Sequence, residues 1–273
     1  MYPYPIFLDI DLYTVFLCIG IISAIVIFRI FADKAKMYWK LHNFVLITAV
    51  VAIIGGYFSA VFFQALYNIE RRGEFIIDKY TGATFYGGLI GGAACFLIVY
   101  FGIGALLFKN KENQKGFFKI ADIAAASIAA AHGFGRIGCL MAGCCHGEIT
   151  DAWYAIYMPA VQAKAVPLQL YEAIFLFALF GFFVWRLLKN KSCNLPLYMV
   201  LYGVWRFVLE FFRTDERGDT IVDFLSPSQL IAVLMILGSA ALFFGQRYLM
   251  KKLACAPDSA ACETLSSEES ENG

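Results

Sequence analysis

Apolar residues run through this chain in seven long blocks, at about residues 12–31, 44–66, 83–108, 120–139, 168–188, 195–212 and 229–249. Short polar connections separate them. A hydrocarbon core about 30 Å thick needs roughly 20 apolar residues per helix at about 1.5 Å of rise each, and the blocks meet that need. The pattern predicts an all-α integral membrane protein with seven transmembrane helices in one domain, residues 1–253. Residues 254–273 are polar, acidic and rich in serine, and predict a disordered cytoplasmic tail. There is no internal repeat and no soluble catalytic domain, so any chemistry falls to the bundle and its outer connections.

Composition strengthens this reading. The chain is 60% hydrophobic and only 16% charged, with 27 phenylalanines, far from an ordinary soluble domain. A net charge of +1 and the absence of a clustered basic face argue against nucleic acid as a partner. With the N-terminus outside, 14 lysines and arginines fall in the inner connections and 6 in the outer ones. The excess of positive charge on the cytoplasmic side predicts an outer N-terminus and a cytoplasmic C-terminus. Asp9 and Asp11, with no basic residue before Leu12, argue against a cleaved signal peptide. Eight scattered cysteines suggest no secreted disulfide framework.

Only two of the 22 basic side chains, Arg136 and Arg206, lie within the blocks rather than in or beside the connections. A guanidinium near mid-bilayer costs at least about 2.5–3.5 kcal/mol, so each needs a polar cavity or an anionic partner. Arg136 belongs to the least apolar block, where Ala124–Ala126, Ala129–Ala131, Gly133, Gly135 and Gly138 let neighbouring helices approach closely. Its planar five-donor head suits phosphate, and an intramembrane glutamate would suit it as well. Arg206 and Glu210 are four apart and share a helix face. They form either a structural ion pair or a device in which Glu210 aims Arg206 at an anionic substrate, with Arg136 completing a clamp.

Further polar residues flank these two. Pro167 opens the fifth block, and Gln169 and Glu172 follow on one face; Gln169 fits an interhelical hydrogen bond or a ligand, and Glu172 calls for an arginine partner. Gly87, Gly88, Gly91 and Gly92 follow Tyr86, a pattern that admits close approach of a ligand or another helix. Tyr86 itself is either an interfacial anchor or a reactive group. Cys139, Cys144, Cys145 and His146 lack paired CxxC spacing, and vicinal cysteines seldom serve one tetrahedral metal together, so no metal is expected. His132 and His146 fit hydrogen-bonded cavity residues or proton acceptors.

In order, these motifs resemble the prolipoprotein diacylglyceryl transferase family. They are Phe85-Tyr86-Gly-Gly-Leu-Ile-Gly, Gly135-Arg136-Ile-Gly138 continued through Gly143 to Gly147, Pro167-Leu-Gln169-Leu-Tyr171-Glu172, and Tyr202-Gly203 through Arg206 to Glu210-Phe-Phe-Arg213. The resemblance implies a bacterial inner-membrane enzyme that moves a diacylglyceryl group from phosphatidylglycerol to the lipobox cysteine of a preprolipoprotein signal peptide, without metal or organic cofactor. It implies catalytic roles for Arg136, Arg206, Tyr86 and Glu210. Binding of phosphatidylglycerol falls to Arg136, Arg206, Tyr13, Gly147 and Gln169. The chain departs from the family pattern at Tyr86, where a histidine is usual, at Cys139 in place of asparagine and at Cys144 in place of glutamate. The proton acceptor is therefore open between Tyr86, His132, His146 and purely electrostatic activation of the thiol.

The departures from the family pattern also leave open a divergent lipid-handling homologue with another donor or acceptor, and two rival readings of other classes follow from the same residues. A small-anion transporter would use the arginines for selectivity and should show matched interrupted helices in inverted halves, which the sequence lacks. A thiol oxidoreductase built on Cys144 and Cys145 would want a cofactor motif, and none is present.

Overall fold

A computed structural model of the 273-residue chain describes residues 4–5, 10–78, 81–109, 112–213 and 226–254. Of the expected tail, all but residue 254 lies outside the described residues. Helices dominate: α1 Leu12–Lys34, α2 Trp39–Arg72, α3 Phe85–Ile98, α4 Gly104–Leu107, α5 Glu112–Ala142, α6 Leu168–Leu188, α7 Asn194–Glu210 and α8 Pro227–Ala254. A π-helical turn, Val99–Ile103, joins α3 to α4 so that they continue as a single helical rod. Among the described residues, six helices are long and apolar enough to cross a bilayer. The expected sixth span folds as α7, whose 17 residues rise only about 25 Å. Many large apolar side chains stay exposed on the spans, Ile22, Ile47, Phe58, Ile90, Ile98 and Phe244 among them. In lipid this is the favourable arrangement, and the protein is an all-α multi-pass membrane protein.

Helix ends follow local chemistry. Asp11 caps α1 by accepting from the Thr14 backbone N–H at 2.8 Å and from the Thr14 hydroxyl at 2.7 Å. These bonds hold its carboxyl below the ordinary carboxylate range. Gly73, at φ +76°, ends α2 with its N–H on the Ile69 carbonyl at 2.7 Å. One element was not expected: between α5 and α6 the chain forms an antiparallel hairpin, β1 Ile156–Met158 with β2 Ala163–Ala165.

The chain divides into two compact units, Arg29–Ile120 and Met1–Phe28 with Ala121–Gly273. In the first, the glycines after Tyr86 serve helix packing. Gly88 and Gly92 of α3 meet Gly56 of α2 backbone to backbone, and the Ser59 hydroxyl donates to the Gly87 carbonyl at 2.8 Å. A Cβ at Gly91 would fall 2.1 Å from Ser59 Oγ and 2.2 Å from Ser59 Cβ. Gly91→Ala is therefore expected to destabilise the protein by about 1–3 kcal/mol through overpacking. Gly102→Ala, with nothing within 4 Å of its Cβ, should be neutral or slightly stabilising. Thermal unfolding in detergent reads both; equal midpoints would refute this packing.

In the second unit the alanine face of α5 is the core. Ala125, Ala126 and Ala129 pack with Leu176, Leu179 and Phe183 of α6 and with Tyr198 and Tyr202 of α7. Gly20 of α1 lies against α5, where a Cβ would meet the Ala131 carbonyl at 2.9 Å, and Gly133 meets the Phe177 ring at 3.0 Å. Towards the N-terminal end of α5, buried Asp122 accepts from the Asn194 N–H at 2.6 Å and from Gln246 at 3.4 Å. That carboxylate joins α5 to the start of α7 and to α8, which sets the helix positions from which the other end of the unit is built.

Candidate active site

Three helices converge on one carboxylate. Glu172 of α6 is 1% exposed, and its Oε1 lies 3.1 Å from Arg136 Nε of α5. The same oxygen accepts from the Tyr202 hydroxyl of α7 at 2.8 Å. His132, one turn before Arg136, lies with Nε2 3.4 Å from the Tyr202 oxygen and Nδ1 3.1 Å from the Tyr198 hydroxyl. An ionised carboxylate only accepts, so Tyr202 donates to it and is left to accept. That polarity assigns the His132 proton to Nε2 and makes Nδ1 the acceptor from Tyr198. Edge-on packing of His132 against Tyr202, with centroids 4.7 Å apart, and stacking of Tyr198 on Tyr202 fix the rings.

Arg136 thus has the glutamate partner that its position in a membrane helix demands. The pair runs through Nε, so the two terminal Nη groups remain beyond it. A planar guanidinium can hold Glu172 on one edge and a second anion on another.

Arg206 is built in the same way. It is 7% exposed, and its Nη2 reaches Glu210 Oε2 at 2.9 Å and donates to Ser228 Oγ at 2.9 Å. Among the described residues its Nη1 has no hydrogen-bond partner although it is buried. A charged donor left bare in a lipid-shielded interior is costly, so this nitrogen is suited to an anionic ligand. Glu210 is fixed by the Ser226 hydroxyl, which donates to Oε1 at 2.9 Å, and lies 4.0 Å from Arg213 Nε.

The loop after α5 is shaped by left-handed residues. Gly143 has φ +74°, and its N–H bonds the Leu140 carbonyl at 3.2 Å. Cys145 has φ +64°, a conformation that costs a residue bearing a Cβ about 1–2 kcal/mol. The turn brings the sulfurs of Cys139, Cys144 and Cys145 within 4.8 Å of one another. Hydrogen bonds from the Cys139 and Cys144 thiols, with the Arg213 guanidinium, hold the Cys145 thiol far below its ordinary range. Gln169 of α6 donates to the Cys144 carbonyl, while its buried Oε1 has no hydrogen-bond partner among the described residues.

Of the residues singled out in the sequence, Arg136, Arg206, Glu210, Gln169, Gly147 and Tyr13 all belong to this unit. Gly147 is enclosed by protein: a Cβ would lie 3.0 Å from the Leu168 side chain and 3.0 Å from the Phe212 carbonyl. Close packing alone accounts for glycine there. Tyr13 lies over Gly138, whose Cβ would be 3.2 Å from its ring and from its carbonyl oxygen. Tyr86 stands in the first turn of α3, partly buried, in the other unit.

The sequence reading missed Tyr198, Ser226 and Ser228, and treated Tyr202 only as part of a motif. For the tyrosines a signal existed, because Tyr198, Tyr202, Arg206 and Glu210 recur every four residues and line one face of α7. The serines carry no comparable pattern.

The sequence model of the prolipoprotein diacylglyceryl transferase family matches residues 4–245. The chain is 36% identical over 211 residues to phosphatidylglycerol–prolipoprotein diacylglyceryl transferase 2 of Clostridium perfringens, covering 75% of this chain and 78% of that protein. It is 32% identical over 236 residues to the phosphatidylglycerol–prolipoprotein diacylglyceryl transferase of Clostridium tetani, covering 82% and 88%. A similarly named protein of Azotobacter vinelandii is 30% identical over 212 residues, covering 74% and 76%. A match across nearly all of the membrane-embedded sequence, with relatives more than 30% identical over three quarters of the chain, places this chain in the prolipoprotein diacylglyceryl transferase family.

Proposed function

We propose that this chain transfers the diacylglyceryl group of phosphatidylglycerol to the lipobox cysteine of a preprolipoprotein, the first step of bacterial lipoprotein maturation. The observation that carries the reading is the shared construction of Arg136 and Arg206. Each is held through one part of its guanidinium by a buried carboxylate, Glu172 or Glu210, and has further nitrogens outside that pair. Two such groups suit the single negative charge of a phosphodiester and the larger charge on the phosphate that leaves.

In this reaction the thiol sulfur forms a bond to the terminal glycerol carbon of the diacylglyceryl moiety. The bond from that carbon to the phosphate oxygen breaks, and its electron pair departs with glycerol phosphate while the thiol proton is lost. The arginines bind the head group and stabilise charge growing on the leaving oxygen. The same positive potential favours the acceptor as thiolate. His132 lies within a hydrogen-bonded relay that ends on Glu172, and its part is to hold Tyr202 and the carboxylate in register beneath Arg136. Glu210 positions Arg206. Tyr13 and Gln169 enter the proposal as lipid-facing groups on the strength of the family motif, and Tyr86 as a catalytic group by its position alone, since the family's usual residue there is histidine.

The same reading sets the protein in the bacterial cytoplasmic membrane with the N-terminus outside, α7 as a seventh span and residues 1–253 as the transferase domain. An anion transporter would need a permeation route through matched broken helices. The π-helical turn at Val99–Ile103 leaves its span a continuous helix, and among the described residues no matched pair of broken spans is found. The deciding assay incubates the detergent-purified chain with labelled phosphatidylglycerol and a lipobox peptide, alongside complementation of a bacterium depleted of its own transferase. Thioether-linked diacylglyceryl peptide and growth are expected. Folded protein that yields neither would remove the transferase reading.

A further inference from the structure

We infer that Cys139, Cys144 and Cys145 form a binding site for one thiophilic divalent cation, of which Zn2+ is the natural occupant. The observation is the convergence of three sulfurs from two elements. Cys139 lies in the last turn of α5, while Cys144 and Cys145 lie beyond it, and all three sulfurs fall within 4.8 Å of one another. Sequence spacing predicted no metal because paired CxxC spacing is absent and vicinal cysteines seldom serve one tetrahedral ion together. The backbone removes that objection. The left-handed Gly143 folds the chain back over the helix end, with the Cys144 N–H on the Cys139 carbonyl at 3.2 Å, and left-handed Cys145 then turns its side chain back toward the other two.

The distances suit a zinc–thiolate site. Zinc–sulfur bonds of about 2.3 Å set sulfur–sulfur edges of about 3.8 Å in a tetrahedron. Sulfurs at most 4.8 Å apart must therefore close by about 1 Å, within reach of small side-chain rotations. Binding replaces each remaining S–H with an S–Zn bond and releases its proton to solvent, so no oxidant or reductant is required.

The surroundings also fit. Gln169 donates to the Cys144 carbonyl and so fixes the backbone of the loop that carries two of the sulfurs. A Cβ at Gly143 would lie 2.8 Å from Ala160 Cβ, so the hairpin side of the loop packs directly on the turn. His146 does not join the cluster; its Nδ1 faces the Gly147 carbonyl at 2.8 Å. Three protein ligands leave a fourth position for water or for an incoming soft donor. The assignment is independent of the transferase reading, since it concerns occupancy and not turnover.

The test uses the full chain, purified in detergent without a histidine tag and kept reduced with a phosphine. Cobalt is the probe. Addition of Co2+ is expected to give a near-ultraviolet thiolate-to-metal charge-transfer band and intense visible bands of a four-coordinate site, saturating at one equivalent and bleached by Zn2+. Protein grown with zinc should retain one zinc per chain by elemental analysis. C144S and C139S should each weaken binding at least about 10-fold, while elution volume and thermal midpoint without metal confirm the fold. C18S, remote in sequence, serves as the control and should bind as wild type. No thiolate band, or equal binding by C139S, would overturn the proposal. So would a mass two hydrogens short, after alkylation of fresh membranes, mapping to these cysteines, because two of the three sulfurs would then be joined in a disulfide and lost as metal ligands.

Discussion

Arg136→Lys is expected to lower diacylglyceryl transfer by about 10²–10³-fold while leaving the protein folded. Lysine keeps a positive charge beside Glu172, which is 1% exposed and must not be left alone. Its single ammonium cannot reproduce a guanidinium that pairs through Nε at 3.1 Å and keeps two more nitrogens for the phosphate of the proposed substrate. The size of the loss is that of removing a fixed donor from developing negative charge. Arg136→Ala is the less informative variant, because it orphans a buried carboxylate and confuses lost chemistry with lost stability. Steady-state transfer with labelled lipid, read with the thermal midpoint, separates the two. Transfer near the wild-type rate by Arg136→Lys would reduce the arginine to a structural partner of Glu172.

Glu172→Ala should be the most destabilising change in the site, costing about 3–5 kcal/mol by leaving the Arg136 charge unpaired. It also removes the acceptor for the Tyr202 hydroxyl, which holds Glu172 at 2.8 Å and receives the His132 contact. Glu172→Gln retains an acceptor for Tyr202 and should lose less. The ordering Ala worse than Gln, measured by denaturant unfolding in mixed micelles, distinguishes a carboxylate that organises three helices from a surface charge. Equal stability of Glu172→Ala and wild type would mean that the contacts of α5, α6 and α7 are held by apolar packing alone.

How much of this could be read beforehand varies with the kind of interaction. The spans at α1, α2, α3 with α4, α5, α6 and α8 follow from apolar length, which lipid imposes on any sequence that crosses it. Arg136 and Arg206 stood out for the same reason, because charge inside such a length demands an explanation. The need of Glu172 for an arginine was also legible. Which arginine it takes was not, since Arg136 and Arg206 lie 36 and 34 positions away and only helix packing brings one to 3.1 Å. The hairpin escaped because its strands have three residues each, too few for a period-two signal to rise above an apolar background.

The glycines after Tyr86 show the limit from the other side. Their pattern predicted a close approach, and the sequence could not say of what. The structure puts α2 there, because a Cβ at Gly91 would overlap Ser59. The cysteines mark the same boundary. Their spacing argued against a shared site, and a turn at Gly143 and Cys145 places their sulfurs together regardless.

The sequence by itself determined the membrane class, six of the seven spans it predicted, the isolated arginines and the family motifs. All of these depend on composition and on spacings within one helix or from helix to helix in order. Only tertiary structure decided which carboxylate each arginine holds, which guanidinium nitrogen is left bare, and that three thiols meet. Those depend on contacts between distant segments, whose formation is set by how small residues let the helices close.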